Sequence, residues 1–213
     1  GTGFFAGVKS TAPDMLESAW KYYDDSRLMD FRAVTTLGIT QEDLDALAQV
    51  GDVMPGYSVT VMGHAEGDDA EKVVQVLDLG DGSMNVPELV EGRLPQAPGE
   101  CVVENGANTP ASFQVGATLV LSSGDEDSPL TDTLAHTELT VVGVVESSLY
   151  ISMERGYTTL GSGKVNTFIL VLPEEFVLDV YTDAYIRVPE AQGVDPFSDA
   201  YETLVREKTE ELE

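Results

Sequence analysis

The chain has 213 residues, of which 42% are apolar, and its 38 acidic and 11 basic side chains give a formal net charge of −27. A chain of this size and composition can bury a sizeable core, which excludes bulk disorder and fits one large domain or a domain with an inserted part. So negative a field, with no cluster of basic residues, repels phosphate backbones and excludes nucleic-acid binding.

The first predicted elements are a helix and a strand. The segment Thr11–Ser26 opens with a capping-box-like Thr11–Asp14 pair and carries an apolar stripe at helical spacing, which predicts a helix. The preceding "GTGFFAG" has no strand before it and no helix opening on it, so it indicates a flexible terminus rather than a dinucleotide loop. Alternating apolar and polar residues then predict a strand over Leu28–Leu37.

A second capping box predicts the next helix. Thr40 and Asp43 flank its first turn, Leu44 and Leu47 share one face, and Gly51 is expected to end it. Two strands are predicted after it, in "GYSVTVMGHA" and "EKVVQVLDLG".

The middle of the chain is typical of an all-β region. Short apolar runs in "ECVVE", "ATLVLSS" and "TELTVVGVVES" are separated by turn residues, which predicts mainly antiparallel pairs. Two more strands, "NTFILVLP" and "TDAYIRVPE", precede a final helix opened by Asp195-Pro196. The pattern predicts an α+β fold in which residues 1–67 plus 161–213 bracket an inserted β-rich subdomain, residues 68–160.

No motif predicts a catalytic, cofactor or metal site. "GYTTLGSGKVN" lacks the first glycine and the hydroxyl of a phosphate loop, and the acidic loops lack the register of a calcium site. His64 and His136 belong to no zinc-binding pattern. Cys101 lies in a predicted strand with no base near it in sequence, so we expect a buried, reduced thiol. We therefore predict a protein that is not an enzyme and needs no cofactor.

The two ends predict an excised fragment of a longer protein. No segment reaches the roughly 20 consecutive apolar residues that span a bilayer. The chain begins "GTGFFAG" without an initiating Met and stops inside an acidic helical run, "REKTEELE". We expect informative flanking segments on both sides.

Several segments, in a fixed order, resemble one known family. "LVEGRLPQAPGECVVE", "FQVGATLVL" and "ELTVVGVVES" resemble the glycine-arginine turn and the three strands of the extracytoplasmic domain of FtsX-like, MacB-like ABC-transporter permeases. "LGITQEDLDALAQVGDVMPGYS" is similar to an earlier segment of that family, and "SLYISMERGYTTLGSGKVNTFILVLPEEF" to a Gram-positive variant. The resemblance covers about Phe4 to Tyr201. Ala117 departs from it, since an acidic residue is common there.

The resemblance implies a non-catalytic domain on the extracellular face of the cell membrane, between two transmembrane helices that lie outside this chain. It implies a porter-like, membrane-proximal α/β part with a β-rich insertion. It implies a cytoplasmic ATPase, as a separate subunit or domain, and allows a permease dimer. It assigns neither an extracellular ligand nor binding residues.

Two other classes of function remain open from the sequence. One is a stand-alone extracellular binding, adhesion or sensor domain that shares only the architecture. The other is a hydrolase with dispersed carboxylates, for which a deep pocket with paired, perturbed acids would be needed.

Overall fold

The computed structural model describes residues 5–8, 26–124, 127–147, 149, 164–194 and 198–210. The chain divides into two compact units. The first contains Gly1–Gly56, Gly80–Val86 and Val180–Glu213, and the second contains Tyr57–Leu79 and Pro87–Asp179. Helices and strands are both present, so the predicted α+β class is confirmed.

The first unit is built on a four-stranded antiparallel sheet. Its strand order is β1-β2-β11-β3, with the bounds β1 Phe5–Val8, β2 Phe31–Ile39, β3 Asp52–Gly56 and β11 Tyr181–Arg187. Two described α-helices belong to this unit, α1 Gln41–Leu47 and α2 Asp199–Glu210.

One apolar cluster joins the sheet and the helices of the first unit. Alternate side chains of the two central strands are buried in it, and so is one face of each helix. A strand buries one face when every second residue is apolar, and a helix does so when apolar residues recur every three or four positions. The cluster contains Phe31, Ala33, Ile39, Leu44, Leu47, Val50, Ala184, Ile186, Val188, Ala191, Tyr201 and Val205.

The predicted capping box of α1 is confirmed, but the predicted end of this helix is wrong. The Asp43 N–H donates to Thr40 Oγ1 at 3.4 Å, and the Thr40 N–H donates to the Asp43 carboxylate at 2.8 Å. The helix ends at Leu47 with Ala48 as its C-cap. Gly51 lies just before β3, where a Cβ atom would stand 2.5 Å from the Arg187 carbonyl oxygen. Close approach to β11 therefore explains this glycine.

Other predictions near the ends have mixed outcomes. The stretch "GTGFFAG" was interpreted as flexible, but its last three residues belong to β1, which pairs with β2 as an antiparallel strand, so that interpretation was wrong for them. The strand predicted over Leu28–Leu37 is present as β2, but it is displaced to Phe31–Ile39. The final helix is present as α2, whereas its predicted start at Asp195-Pro196 and most of the predicted Thr11–Ser26 helix lie outside the described residues.

Seven strands are described in the second unit, and six of them close into a ring. The ring order is β4-β5-β10-β7-β9-β8, and β8 pairs back with β4. The seventh strand, β6, pairs with the half of β9 that β8 leaves uncovered. Their bounds are β4 Ser58–Ala65, β5 Lys72–Asp78, β6 Glu88–Gly92, β7 Glu100–Glu104, β8 Thr118–Ser122, β9 Glu138–Glu146 and β10 Thr167–Val171.

The interior of this barrel is filled by alternate side chains of all six ring strands. The interior of a small barrel is just wide enough for side chains to fill, so it is a packed core. Residues from the connecting loops close the ends, including Phe176, which stacks on Tyr57 with ring centroids 5.1 Å apart. The inward strand residues are Val61, Ala65, Val74, Val76, Cys101, Val103, Leu119, Leu121, Leu139, Val141, Ile169 and Val171.

The expected antiparallel pairing predominates in the second unit. Five of its seven described strand pairs are antiparallel, and two, β5–β10 and β7–β9, are parallel. The compact unit also includes β4 and β10, which the boundaries at 68 and 160 leave with the rest of the chain. The reason is the ring: β4 joins β5 to β8, and β10 joins β5 to β7.

Neither described helix combines the length and the apolar character needed to span a bilayer.

Candidate functional site

The glycine-arginine turn after β6 is shaped by close backbone contact with β9. Gly92 has a φ of +75°, and a Cβ atom there would lie 2.3 Å from the Val142 carbonyl oxygen. The Arg93 N–H donates to the same oxygen at 3.0 Å. A left-handed residue in such tight contact has to be glycine, so this motif residue serves the barrel.

The arginine of the turn is fixed by a carboxylate at the start of β7. Arg93 Nη1 donates to Glu100 Oε2 at 2.7 Å and Nη2 donates to Oε1 at 2.5 Å, in the two-pronged geometry of a guanidinium on a carboxylate. The Gln96 N–H adds a bond of 2.8 Å to Oε2. Arg93 first, and then the Gln96 N–H, lower the pKa of Glu100 to about 2. The pair closes the loop between β6 and β7.

A fully buried carboxylate connects three loops of the barrel. Glu175, with a side-chain exposure of 0%, lies in the turn after β10. Its Oε2 accepts the Gly99 N–H at 2.7 Å, and its Oε1 accepts the His136 N–H at 2.7 Å. His136 Nδ1 lies 3.0 Å from Oε1. Because buried carboxylates need several partners to offset lost hydration, this arrangement stabilises the loop junction.

The His136–Glu175 pair is the arrangement most similar to a catalytic one among the described residues. A carboxylate that orients an imidazole is the supporting half of a catalytic triad. The His136 side chain is 49% exposed, but no hydroxyl or thiol of the described residues forms a hydrogen bond with it. The pair alone can hold a loop and provides no activated nucleophile.

Cys101 lies inside the barrel, as the sequence predicted. Its side chain is fully buried and forms no disulfide. Burial, and secondly the charge of Glu175, raise the pKa of the thiol. A neutral thiol without solvent access is neither a nucleophile nor a metal ligand.

The described residues offer no metal site. They contain no group of three or more His, Cys, Asp or Glu side chains arranged to hold an ion. His64 lies on β4, with its Nδ1 4.0 Å from Glu71 Oε1, whereas His136 lies beside Glu175. The two histidines that the sequence singled out thus have separate environments.

In the first unit, a partly buried polar contact attaches α2 to the residues that flank the sheet strands. Tyr201 Oη donates to Asp30 Oδ1 at 2.5 Å, and the Val188 N–H donates to Asp30 Oδ2 at 2.6 Å. Burial, and secondly Asp30, raise the pKa of the Tyr201 hydroxyl. The helix is therefore held by a hydrogen bond as well as by its apolar face.

Sequence reasoning did not identify Glu175 or Asp30 as important residues. Both are carboxylates in a chain with 38 acidic residues, and their partners are distant in sequence. Asp30 bonds to residues 158 and 171 positions away, and Glu175 to residues 39 and 76 positions away. Only the folded chain distinguishes them from solvent-exposed acids.

No protein-family model matches the chain, and no curated protein sequence matches it. The solved structures that are similar to it include two domains that lie outside the cytoplasm. The extracellular domain of the noncanonic ABC-type transporter YknZ from Gram-positive bacteria has 10% identity and a TM-score of 0.42, over 83% of this chain and 87% of that one. The periplasmic region of MacB from Actinobacillus actinomycetemcomitans has 12% identity and a TM-score of 0.41, over 82% of this chain and 74% of that one.

The first is described as the extracellular domain of an ABC-type transporter, and the second as a periplasmic region. Identities and TM-scores this low assign neither a family nor a function to this chain.

Proposed function

We propose that the chain is the non-catalytic extracellular domain of an FtsX-like or MacB-like ABC-transporter permease of Gram-positive type. It lies outside the cell membrane, between transmembrane helices of the full-length protein. It couples the motion driven by a cytoplasmic ATPase, carried on a separate subunit or domain, to an extracellular substrate or partner.

The observation that carries this proposal is the ordered set of sequence segments that resemble the family. "LVEGRLPQAPGECVVE" contains most of β6, the glycine-arginine turn and β7. "FQVGATLVL" contains most of β8, and "ELTVVGVVES" contains β9. β9 pairs with each of the other three strands. The segments are thus parts of one structural assembly, which supports reading them as one inherited motif.

The division of the chain is a second support. The two end portions of the chain, together with Gly80–Val86, form the α+β first unit, and the other residues between them form the β-barrel unit. The resemblance implies this arrangement, with an α/β part next to the membrane and an inserted β-rich part. We propose that the first unit is the membrane-proximal one, and that α2 leads towards the second transmembrane helix.

The experiment that tests this function is purification of the full-length protein from its native membrane. We expect an ATP-binding-cassette subunit to co-purify, or such a domain to be part of the same chain, and a point mutation in its ATP site to abolish ATP hydrolysis by the complex. A full-length protein without transmembrane helices, or one that hydrolyses no ATP and retains no ATPase, would contradict the proposal and favour a stand-alone binding domain.

A further inference from the structure

Exposed apolar side chains are concentrated on one strand of the barrel unit. All five residues of β6 are exposed. Leu89 and Val90 are 44% and 51% exposed, and Leu94, just after the turn, is 39% exposed. Isolated exposed apolar residues are ordinary, but a cluster on a strand marks an interaction surface. We call Glu88–Gly92 together with Leu94 the β6 edge.

The backbone of the β6 edge is also available for pairing. β6 pairs with β9 along one side, from Glu88 opposite Glu146 to Gly92 opposite Gly143. Within the ranges that the structure describes, no strand pairs with its other side. The outer side of an edge strand presents N–H and C=O groups on which another strand can add.

The charges on the β6 edge are of one sign. Glu88 and Glu91 are exposed on the strand, and Glu146 is exposed opposite Glu88. Arg93, the cation nearest in sequence, has its guanidinium bound to Glu100. In a chain with a net charge of −27, these acids repel a second copy and attract a cationic segment.

A bulge between Leu89 and Glu91 fits the same reading. Bulges and charges are the usual protection of edge strands against indiscriminate pairing. Here the protective charges are all acidic, so they act against acidic strands and favour basic ones. This protection therefore selects partners by the sign of their charge.

We propose that the β6 edge is a docking site for an extended segment of a separate protein, rich in Lys or Arg and in β-branched residues, which adds to the sheet as a strand next to β6. Backbone hydrogen bonds provide the pairing, Leu89 and Val90 provide apolar contact, and Glu88 and Glu91 select the charge. This inference does not depend on the proposed transporter function.

The test uses a synthetic peptide in which lysine alternates with valine, titrated into the intact chain at physiological salt. A second peptide of the same sequence carries an N-methyl group at every residue, so it keeps the charge but neither of its edges can pair with a strand. We expect the first peptide to bind at least about tenfold more tightly than the second, and to protect amides of β6 from hydrogen exchange.

Two charge-matched variants separate edge pairing from general attraction to an acidic protein. Glu88→Lys with Glu91→Lys should weaken binding of the first peptide at least about tenfold. Glu66→Lys with Asp69→Lys makes the same change of net charge at exposed positions away from β6 and should alter binding less than about threefold.

Four results would overturn the proposal: no binding, equal binding of both peptides, equal effects of both double variants, or amide protection elsewhere. Self-association of the chain that Val90→Lys abolishes would also overturn it, because the occupant would then be a second copy.

Discussion

Arg93 and Glu100 form two parallel hydrogen bonds across the loop between β6 and β7, at 2.7 and 2.5 Å. Both residues belong to one of the sequence segments that resemble the permease family. The turn that the sequence analysis selected is thus closed by an ion pair within the same segment. This relationship has a measurable pH dependence.

Glu100→Gln should flatten the acid limb of the stability curve. The pKa of Glu100 is lowered from 4.5 to about 2, mainly by Arg93. Because the folded-state pKa lies below the unfolded-state value, the stabilisation is fully present above about 4.5 and is lost as the pH falls through about 2. Urea unfolding from pH 6 to pH 2 measures this, in steps of about half a unit.

The control for this prediction is Glu91→Gln, which changes an exposed carboxylate on β6. It should leave the acid limb parallel to that of the wild type. Equal slopes for the wild type and Glu100→Gln would contradict the proposed role of the Arg93–Glu100 pair. The size of the effect should be small, since exposed ion pairs are screened by solvent.

Glu175→Gln should lower the free energy of unfolding by about 1–3 kcal/mol. Glutamine retains one acceptor oxygen, so one of the N–H groups of Gly99 and His136 would face an amide NH₂ group in a buried site. Glu174→Gln is the matched control, because Glu174 lies next to Glu175 in the same turn but is exposed. The measurement is chemical denaturation of both variants. Equal stabilities would contradict the proposed role of Glu175 in stabilising the loop junction.

Tyr201→Phe should destabilise the first unit by about 1–3 kcal/mol, because the half-buried carboxylate of Asp30 loses its hydroxyl donor. The aromatic ring remains, so apolar packing of α2 is preserved. Amide hydrogen exchange should speed up most in α2 around Val205, while the barrel strands keep wild-type rates. Uniform acceleration in both units, or none, would be inconsistent with a local attachment of the helix.

Cys101 should resist alkylation in the native protein. Its thiol is fully buried, and burial raises its pKa. Mass spectrometry after iodoacetamide treatment should find it unmodified in the native state and fully alkylated in denaturant. Rapid native labelling would place the thiol at the surface and disprove its position inside the barrel.

The local features of the fold were predictable from the sequence. Thr40 and Asp43 are three residues apart, and their capping box forms as the spacing indicates. The strand over Glu100–Glu104 matches its apolar run, and Cys101 is buried as expected. Such features depend on neighbours within a few positions, so a single sequence contains the information for them.

The remaining features depend on distant partners. The start of β2 was misplaced because Leu28 and Met29 are buried without being in a strand, and the Met29 N–H bonds to Asn85 Oδ1, 56 residues away. The barrel closes through β8 and β9, and β10 inserts between β5 and β7. No local pattern encodes such pairings. Gly51 was interpreted as a helix end for the same reason, since its close neighbour is Arg187.

The most direct test of the central claim is the side of the membrane on which this domain lies in the full-length protein. Asp69→Cys introduces a thiol at an exposed position of the barrel unit. The native thiol of Cys101 is buried, so we expect it not to react. In a full-length protein whose cysteines outside this chain are replaced, a membrane-impermeant maleimide added to intact cells of the native host should label Asp69→Cys as completely as it does in opened cells. The same protein without Asp69→Cys should stay unlabelled. Labelling of Asp69→Cys only after the cells are opened would place the domain in the cytoplasm and contradict the account.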